Sequence, residues 1–238
     1  MENINKNVLV AGAVILLLAL GAWWMSQNSA HPLPLVEGDT VSSWDFQGTY
    51  KDGGALEKKA NDEIVRQKSL LGGDQSGVGD DPTDYSIYVG IANQYELLGN
   101  GKAAYNYLGR ALKIDSEKTG LAWRNLGALL ERLGALETAR VAYARAVEAQ
   151  SQIVEYHVVR LQFLIKNFAD DASALNAAFD EADKEFGETP EILQVKAQWL
   201  EKSGRHEEAA STLQQMTRLM KGFDANVDVE FGQLKSQI

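Results

Sequence analysis

Residues 121–150 read L-A-W-R-N-L-G-A-L-L-E-R-L-G-A-L-E-T-A-R-V-A-Y-A-R-A-V-E-A-Q. Trp123, Leu126, Gly127 and Leu130 fall at i, i+3, i+4 and i+7, one apolar stripe on a first helix. Gly134 ends that helix, because glycine enters the left-handed conformation of a helix terminus without the steric cost of a Cβ atom. Ala139, Tyr143 and Ala146 repeat the spacing on a second helix. Gly127 and Ala139 are small where two helices must come close, and Trp123 and Tyr143 are large where a gap must be filled. The stretch predicts a helical hairpin.

This order of residues resembles the tetratricopeptide repeat, a helix-turn-helix unit of about 34 residues. Ser151 stands where the proline that often closes the repeat would be. The pattern recurs on both sides. Upstream, Tyr88, Ile91, Ala92, Tyr95, Gly99, Ala104, Leu108 and Ala111 fill the same places, with Gly99 lying 35 residues before Gly134. Downstream, Leu193, Ala197, Leu200, Gly204, Ala209, Leu213 and Met216 do so two periods on. Thr189 and Pro190 start that unit as N-cap and first helical residue. Between them a degenerate unit offers Tyr156, Val159 and Phe163, then Leu175, Phe179 and Ala182, and residues 167–171 replace its glycine turn. The resemblance covers residues 85–220 and implies an all-α fold, an α-α superhelix of about four units. Residues 221–238 are expected to cap it through Val227, Phe231 and Leu234, since a terminal repeat has no neighbour to hide its apolar face.

The resemblance also implies a working surface. The first helix of each unit lines a concave groove in this family, and the family binds peptides or protein segments there. Carried over by position, the groove would present Val89, Asn93 and Glu96, then Arg124, Asn125 and Glu131, then His157 and Leu161, then Gln194, Gln198 and Glu201. A subset of the family grips a C-terminal carboxylate through lysine, arginine and asparagine. Asn93 and Asn125 match two of those places, but Val89, Val154 and Val158 stand where cations are needed, so the clamp is incomplete.

The N-terminal third has a different character. Residues 8–25 are 18 residues without a charge, nine of them Leu, Ile or Val. As a helix they would be about 27 Å long, close to the thickness of a hydrocarbon core. Trp23 and Trp24 at their end suit the headgroup region. We read a transmembrane anchor after a short cytoplasmic N-terminus (residues 1–7); a cleaved signal peptide is the competing reading. Lys6 precedes the span and no Lys or Arg follows until Lys51, which places the repeats outside the cytoplasm. Residues 26–84 read as a spacer. Within it 26–50 is extended, 55–71 is a packing helix with Leu56, Ala60, Ile64 and Leu71 on one side, and 72–84 is an acidic, turn-rich loop. That loop lacks the lysine of a phosphate loop, the bidentate glutamate of a calcium loop and the third glycine of a dinucleotide fingerprint.

Composition sets limits. The chain has 238 residues, 33 acidic against 23 basic, and a net charge of −10, so nucleic acid is an unfavourable partner. It has no cysteine, hence no disulfide or thiolate site. The three histidines, His31, His157 and His206, lie in separate segments with no metal-ligand spacing. Paired carboxylates such as Glu207-Glu208 sit at helix starts, where they favour the helix dipole. No cofactor, metal or enzymatic role is expected. The sequence reads as a membrane-anchored scaffold or adaptor for protein partners in a cell-envelope assembly, like single-pass bacterial proteins with exported repeats. A holdase-like chaperone for exported chains and a module for self-association, giving a homo-oligomer, are the alternatives.

Overall fold

The computed structural model describes residues 31–71 and 84–223. The helices below all belong to the compact unit that begins at Leu35. They are α1 (Ala55–Leu70), α2 (Asp84–Leu97), α3 (Gly101–Ile114), α4 (Leu121–Arg132), α5 (Leu136–Ala149), α6 (Val154–Asn167), α7 (Ala172–Phe186), α8 (Pro190–Lys202) and α9 (His206–Phe223). The fold of the described residues is all-α. The tightest pairings are α2 with α3, α4 with α5 and α8 with α9, each joined by a turn of a few residues. Packing then passes from hairpin to hairpin: α3 rests on α4, α5 on α6, and α6 on both α7 and α8. The anchor predicted at 8–25, the loop at 72–83 and the end cap beyond 223 lie outside the described residues. Among the described residues no helix is long and apolar enough to cross a membrane.

The central hairpin packs as its spacing requires. Trp123 is 5% exposed, Tyr143 is 4% exposed, and Leu126, Leu130, Ala139 and Ala146 are sealed. A Cβ on Gly127 would meet the Tyr143 ring at 2.9 Å, so the residue is small because a ring lies against it. Gly134 has φ +80°, and its counterparts Gly99 and Gly204 have +75° and +74°: the 35-residue period is a period of left-handed turns. The third unit turns instead through Phe168, and Asp171 caps α7 by accepting from Ala174 N–H at 3.0 Å. Thr189 caps α8 from Ile192 N–H at 3.3 Å, with Pro190 following it.

Helix α1 covers α2 at the N-terminal end of the stack. Ala60 and Ile64 are buried, and Ile64 joins Ile87 and Ile91 in one cluster with Leu71 packed against it. Leu56, expected on the packed side, is instead 43% exposed, because only the later turns of α1 reach α2.

Residues 35–50, read from the sequence as spacer, lie along the edge of the first two repeats as a strap. Phe46 N–H donates to Gly99 O (3.0 Å), Tyr50 N–H to Leu97 O (2.9 Å) and Gly101 N–H to Trp44 O (2.8 Å), with an antiparallel bridge between Asp45 and Asn100. Trp44 packs on Tyr105, ring centroids 5.1 Å apart, and Lys102 sits 4.4 Å over the indole. Further along, the strap supplies what α5 lacks. Ala135 at its N-cap offers no side-chain acceptor, and Asp39 takes that place: its carboxylate accepts from Thr138 N–H (2.6 Å), Thr138 Oγ1 (2.6 Å) and Glu137 N–H (3.4 Å). The Thr138 hydroxyl in turn accepts from Val36 N–H at 3.0 Å. A carboxylate at a helix N-terminus answers both the orphan N–H groups and the positive end of the dipole. Asp39→Ala is therefore expected to destabilise the domain by about 1–2 kcal/mol. Urea titration of the full chain in detergent checks it, and Asp39→Asn should recover part of the loss.

Candidate functional site

The first helices of the first two repeats, α2 and α4, enclose a polar cleft with the strap. Thr49, Asn93, Glu96, Leu97, Arg124, Asn125, Ala128 and Arg132 line a volume of ≈ 310 Å³. Its floor is a chain of side-chain hydrogen bonds. Asn125 is 7% exposed; its Nδ2 donates to Asn93 Oδ1 at 3.1 Å, and its Oδ1 accepts from Arg124 at 3.3 Å. The guanidinium of Arg124 reaches on to Glu155 at 3.1 Å. At the other end Arg132 approaches Glu96 at 3.4 Å while its guanidinium carbon lies 5.1 Å from the centre of the Phe46 ring of the strap.

Of the groove positions carried over from the family, the cleft thus unites Asn93, Glu96, Arg124 and Asn125. Glu131, one repeat beyond Glu96, is a latch between repeats: it accepts from Lys166 (2.8 Å), Asn167 (3.2 Å) and Tyr143 (3.1 Å). Gln194, Gln198 and Glu201 lie on α8, away from this cleft, and Glu201 pairs with His206 at 2.8 Å.

Three positions are corrected. Val89 is 3% exposed, His157 1% and Leu161 0%, so all three point into the core. On α2, Ile87, Val89 and Ile91 are spaced by two, which throws Val89 to the side opposite the other two; that side is covered as well, because α2 packs against α1, α3 and α4. On α6 the reason is similar: it touches α5, α7 and α8, leaving little open circumference. His157 donates from Nε2 to Ser151 O at 2.9 Å and meets Phe186 edge-on, centroids 5.2 Å apart.

The cleft also holds residues not anticipated from the sequence. Ala128 and Arg132 follow Arg124 at i+4 and i+8, so the helical period marks them as its neighbours on one face. Thr49 carried no such signal, since it arrives with the strap.

Glu96 and Glu131 are equivalent positions with opposite electrostatics. Burial raises Glu96 above the ordinary carboxylate range, and Arg132 and Arg124 offset this only in part. For Glu131 burial acts in the same direction, but the hydrogen bonds from Lys166, Asn167 and Tyr143 outweigh it and hold the group below its ordinary value. The signs for stability follow. A raised Glu96 contributes stability below its unfolded pKa, which is lost as pH rises through the folded value; a lowered Glu131 contributes above its unfolded pKa, lost as pH falls through the folded value. At neutral pH Glu96→Gln should raise the thermal midpoint and Glu131→Gln should lower it. The Glu96 difference should fade as the pH falls through its raised folded value, whereas the Glu131 difference should persist further into acid, until the pH falls through its lowered folded value. Thermal melts between neutral and acid pH decide the signs; two variants moving the same way at neutral pH would refute the assignment.

No protein-family model and no curated protein sequence matches the chain. Solved structures do. A crystal structure of the MamA protein aligns with TM-score 0.53 at 13% identity, over 75% of this chain and 92% of that one. A second crystal structure of MamA gives 0.51 at 15% identity, over 79% and 98%. YrrB, described as a TPR protein with an unusual peptide-binding site, gives 0.50 at 16% identity, over 76% and 85%. The chain has the tetratricopeptide-repeat fold. Three left-handed glycine turns at a fixed period and the sealed Trp123–Tyr143 hairpin are its marks here. Identity this low carries the repeat architecture and leaves the ligand of the cleft to be argued from its own residues.

Proposed function

We propose that this tetratricopeptide-repeat chain is a protein-binding scaffold whose cleft between α2 and α4 takes an extended segment of a partner. One observation carries the reading. Glu96 is kept as a partly buried carboxylate whose desolvation Arg132 does not fully offset, in a concavity where Asn93, Asn125 and Arg124 converge. A fold gains nothing from such a group, whereas a ligand with a donor to place there does. Asparagine amides match the alternating N–H and C=O of an extended main chain, and the guanidinium fork of Arg124 suits a carbonyl or carboxylate. Polar, directional lining favours a specific adaptor over a holdase, which needs broad apolar area. We further propose that residues 8–25 anchor the scaffold in a membrane with the repeats outside the cytoplasm, where it would serve the assembly of a cell-envelope complex.

Crosslinking from native membranes, with a photoreactive group in place of Ala128, identifies the partner. Arg124→Ala should then weaken that partner by roughly 1–3 kcal/mol with helicity unchanged. Isothermal titration with the full chain in detergent measures it. Equal affinity for the parent and for Arg124→Ala and Asn93→Ala would move the site out of the cleft.

A further inference from the structure

On α3 the residues Lys102, Asn106, Arg110 and Ile114 follow one another at i+4, and all four are exposed. They form one row about 18 Å long. The helix carries three cations, Lys102, Arg110 and Lys113, and no acid, in a chain of net charge −10. Among the described residues seven arginines meet a carboxylate, whereas Arg110 lies over rings: its guanidinium carbon is 4.7 Å from the centre of Tyr107 and 5.9 Å from Tyr88. Lys68 of α1 shares the Tyr107 ring at 5.4 Å and Lys102 covers Trp44 at 4.4 Å. Nearby Asp115 is turned into its own loop, accepting from Glu117 N–H, Lys118 N–H and Thr119 Oγ1.

The face is therefore cationic and aromatic, with Lys102 and Arg110 lying over rings. The charge asymmetry extends beyond it: residues 55–71 and 84–114 hold seven Lys or Arg against five acids, and residues 154–223 hold eight against twelve. We infer that the α1–α3 face docks on an anionic bilayer surface, with Lys68, Lys102 and Arg110 against phosphates and Ile114, 52% exposed, at the headgroup boundary. Three features favour a bilayer over an acidic protein. Lysine and arginine stems lying along aromatic rings, with Trp and Tyr at the same level, are the composition of an interfacial surface. An exposed isoleucine in register with the cations adds apolar area that a purely ionic contact would not use. Lys102 and Arg110 lie on an exposed helix row, spread as a sheet of phosphates would meet them. The inference rests on the proposed anchor only in that a chain held at a membrane has this surface as a constant neighbour; the acidic repeats would then face away.

The test uses the full chain and its lack of cysteine. A single thiol introduced by Asn106→Cys carries a fluorophore, and the chain is reconstituted in nanodiscs containing headgroup nitroxide. The discs are phosphatidylcholine alone, or an equal mixture with phosphatidylglycerol. Quenching at this probe should rise on the order of tenfold in anionic discs and collapse in high salt. Lys102→Glu with Arg110→Glu should return it to the neutral-disc level with helicity retained. A reference probe placed by Glu185→Cys should stay unquenched. Equal quenching in both discs, or quenching at the reference probe instead, overturns the docking. So does a polyglutamate peptide that shields the Asn106 probe where anionic discs do not, which would assign the face to an acidic partner. Incorporation into neutral discs reads the anchor separately. A chain that stays out of neutral discs, yet docks on anionic ones through the same cations, removes the anchor and keeps the face.

Discussion

Trp123→Ala is expected to destabilise the repeat domain by about 3–5 kcal/mol. The indole is 5% exposed on the central hairpin, and its Nε1 donates to Ser116 O at 2.8 Å. Truncation therefore does two things: it leaves a cavity that the sealed residues around it fill only in part, and it strips a loop carbonyl of its donor. The loop concerned joins α3 to α4, so the damage falls on the joint between the first two repeats. In a stack where each unit is held by its neighbours, a loss there loosens α3 and α5 as well. Trp123→Phe keeps most of the ring volume and loses the N–H, and should cost about 1–2 kcal/mol. Urea unfolding followed by far-ultraviolet circular dichroism gives both values. An unchanged midpoint for the alanine variant would mean that the helical register of the central unit is wrong.

Gly48→Ala is expected to release the strap. A Cβ at this position would overlap Leu97 O, Leu98 C and Gly99 N, all main-chain atoms of the first repeat turn, and none can swing aside as a side chain would. The three strap-to-turn hydrogen bonds depend on that approach: Phe46 N–H to Gly99 O, Tyr50 N–H to Leu97 O and Gly101 N–H to Trp44 O. Losing them together with the contact should cost the strap about 3 kcal/mol, which reads as a roughly hundred-fold loss of hydrogen-exchange protection at these amides. Thr49 would leave the cleft with the strap, so partner affinity should change too. Gln47→Ala, an exposed neighbour, serves as control and should leave protection intact. Protection at Phe46 and Gly101 that survives Gly48→Ala would show that strap and turn do not meet backbone to backbone.

The sequence by itself determined the repeat. Periodicity along one helix is a local property, so Trp123, Leu126 and Leu130 announce their buried face without reference to anything distant. Glycine at a helix end is equally local: Gly99, Gly134 and Gly204 mark their turns because no other residue adopts that backbone freely. The cap at Thr189 and the helix over 55–71 were legible for the same reason. What lies on the open side of a helix is set by its neighbours in space, and there the local pattern had no voice. Val89, His157 and Leu161 fell on positions that the family leaves open, but α2 and α6 are each enclosed by three other helices, and the three side chains became core. The electrostatic contrast between Glu96 and Glu131 was hidden in the same way, since Lys166 and Asn167, which lower the second, come from the following repeat. The strap was least legible of all. Its glycine, tryptophan and aspartate read as spacer, because backbone pairing with a turn some fifty residues on, and capping of α5 by Asp39 across 99 residues, leave no periodic trace in the chain. Only the tertiary structure brings those atoms together, and with them the cleft that Thr49 completes.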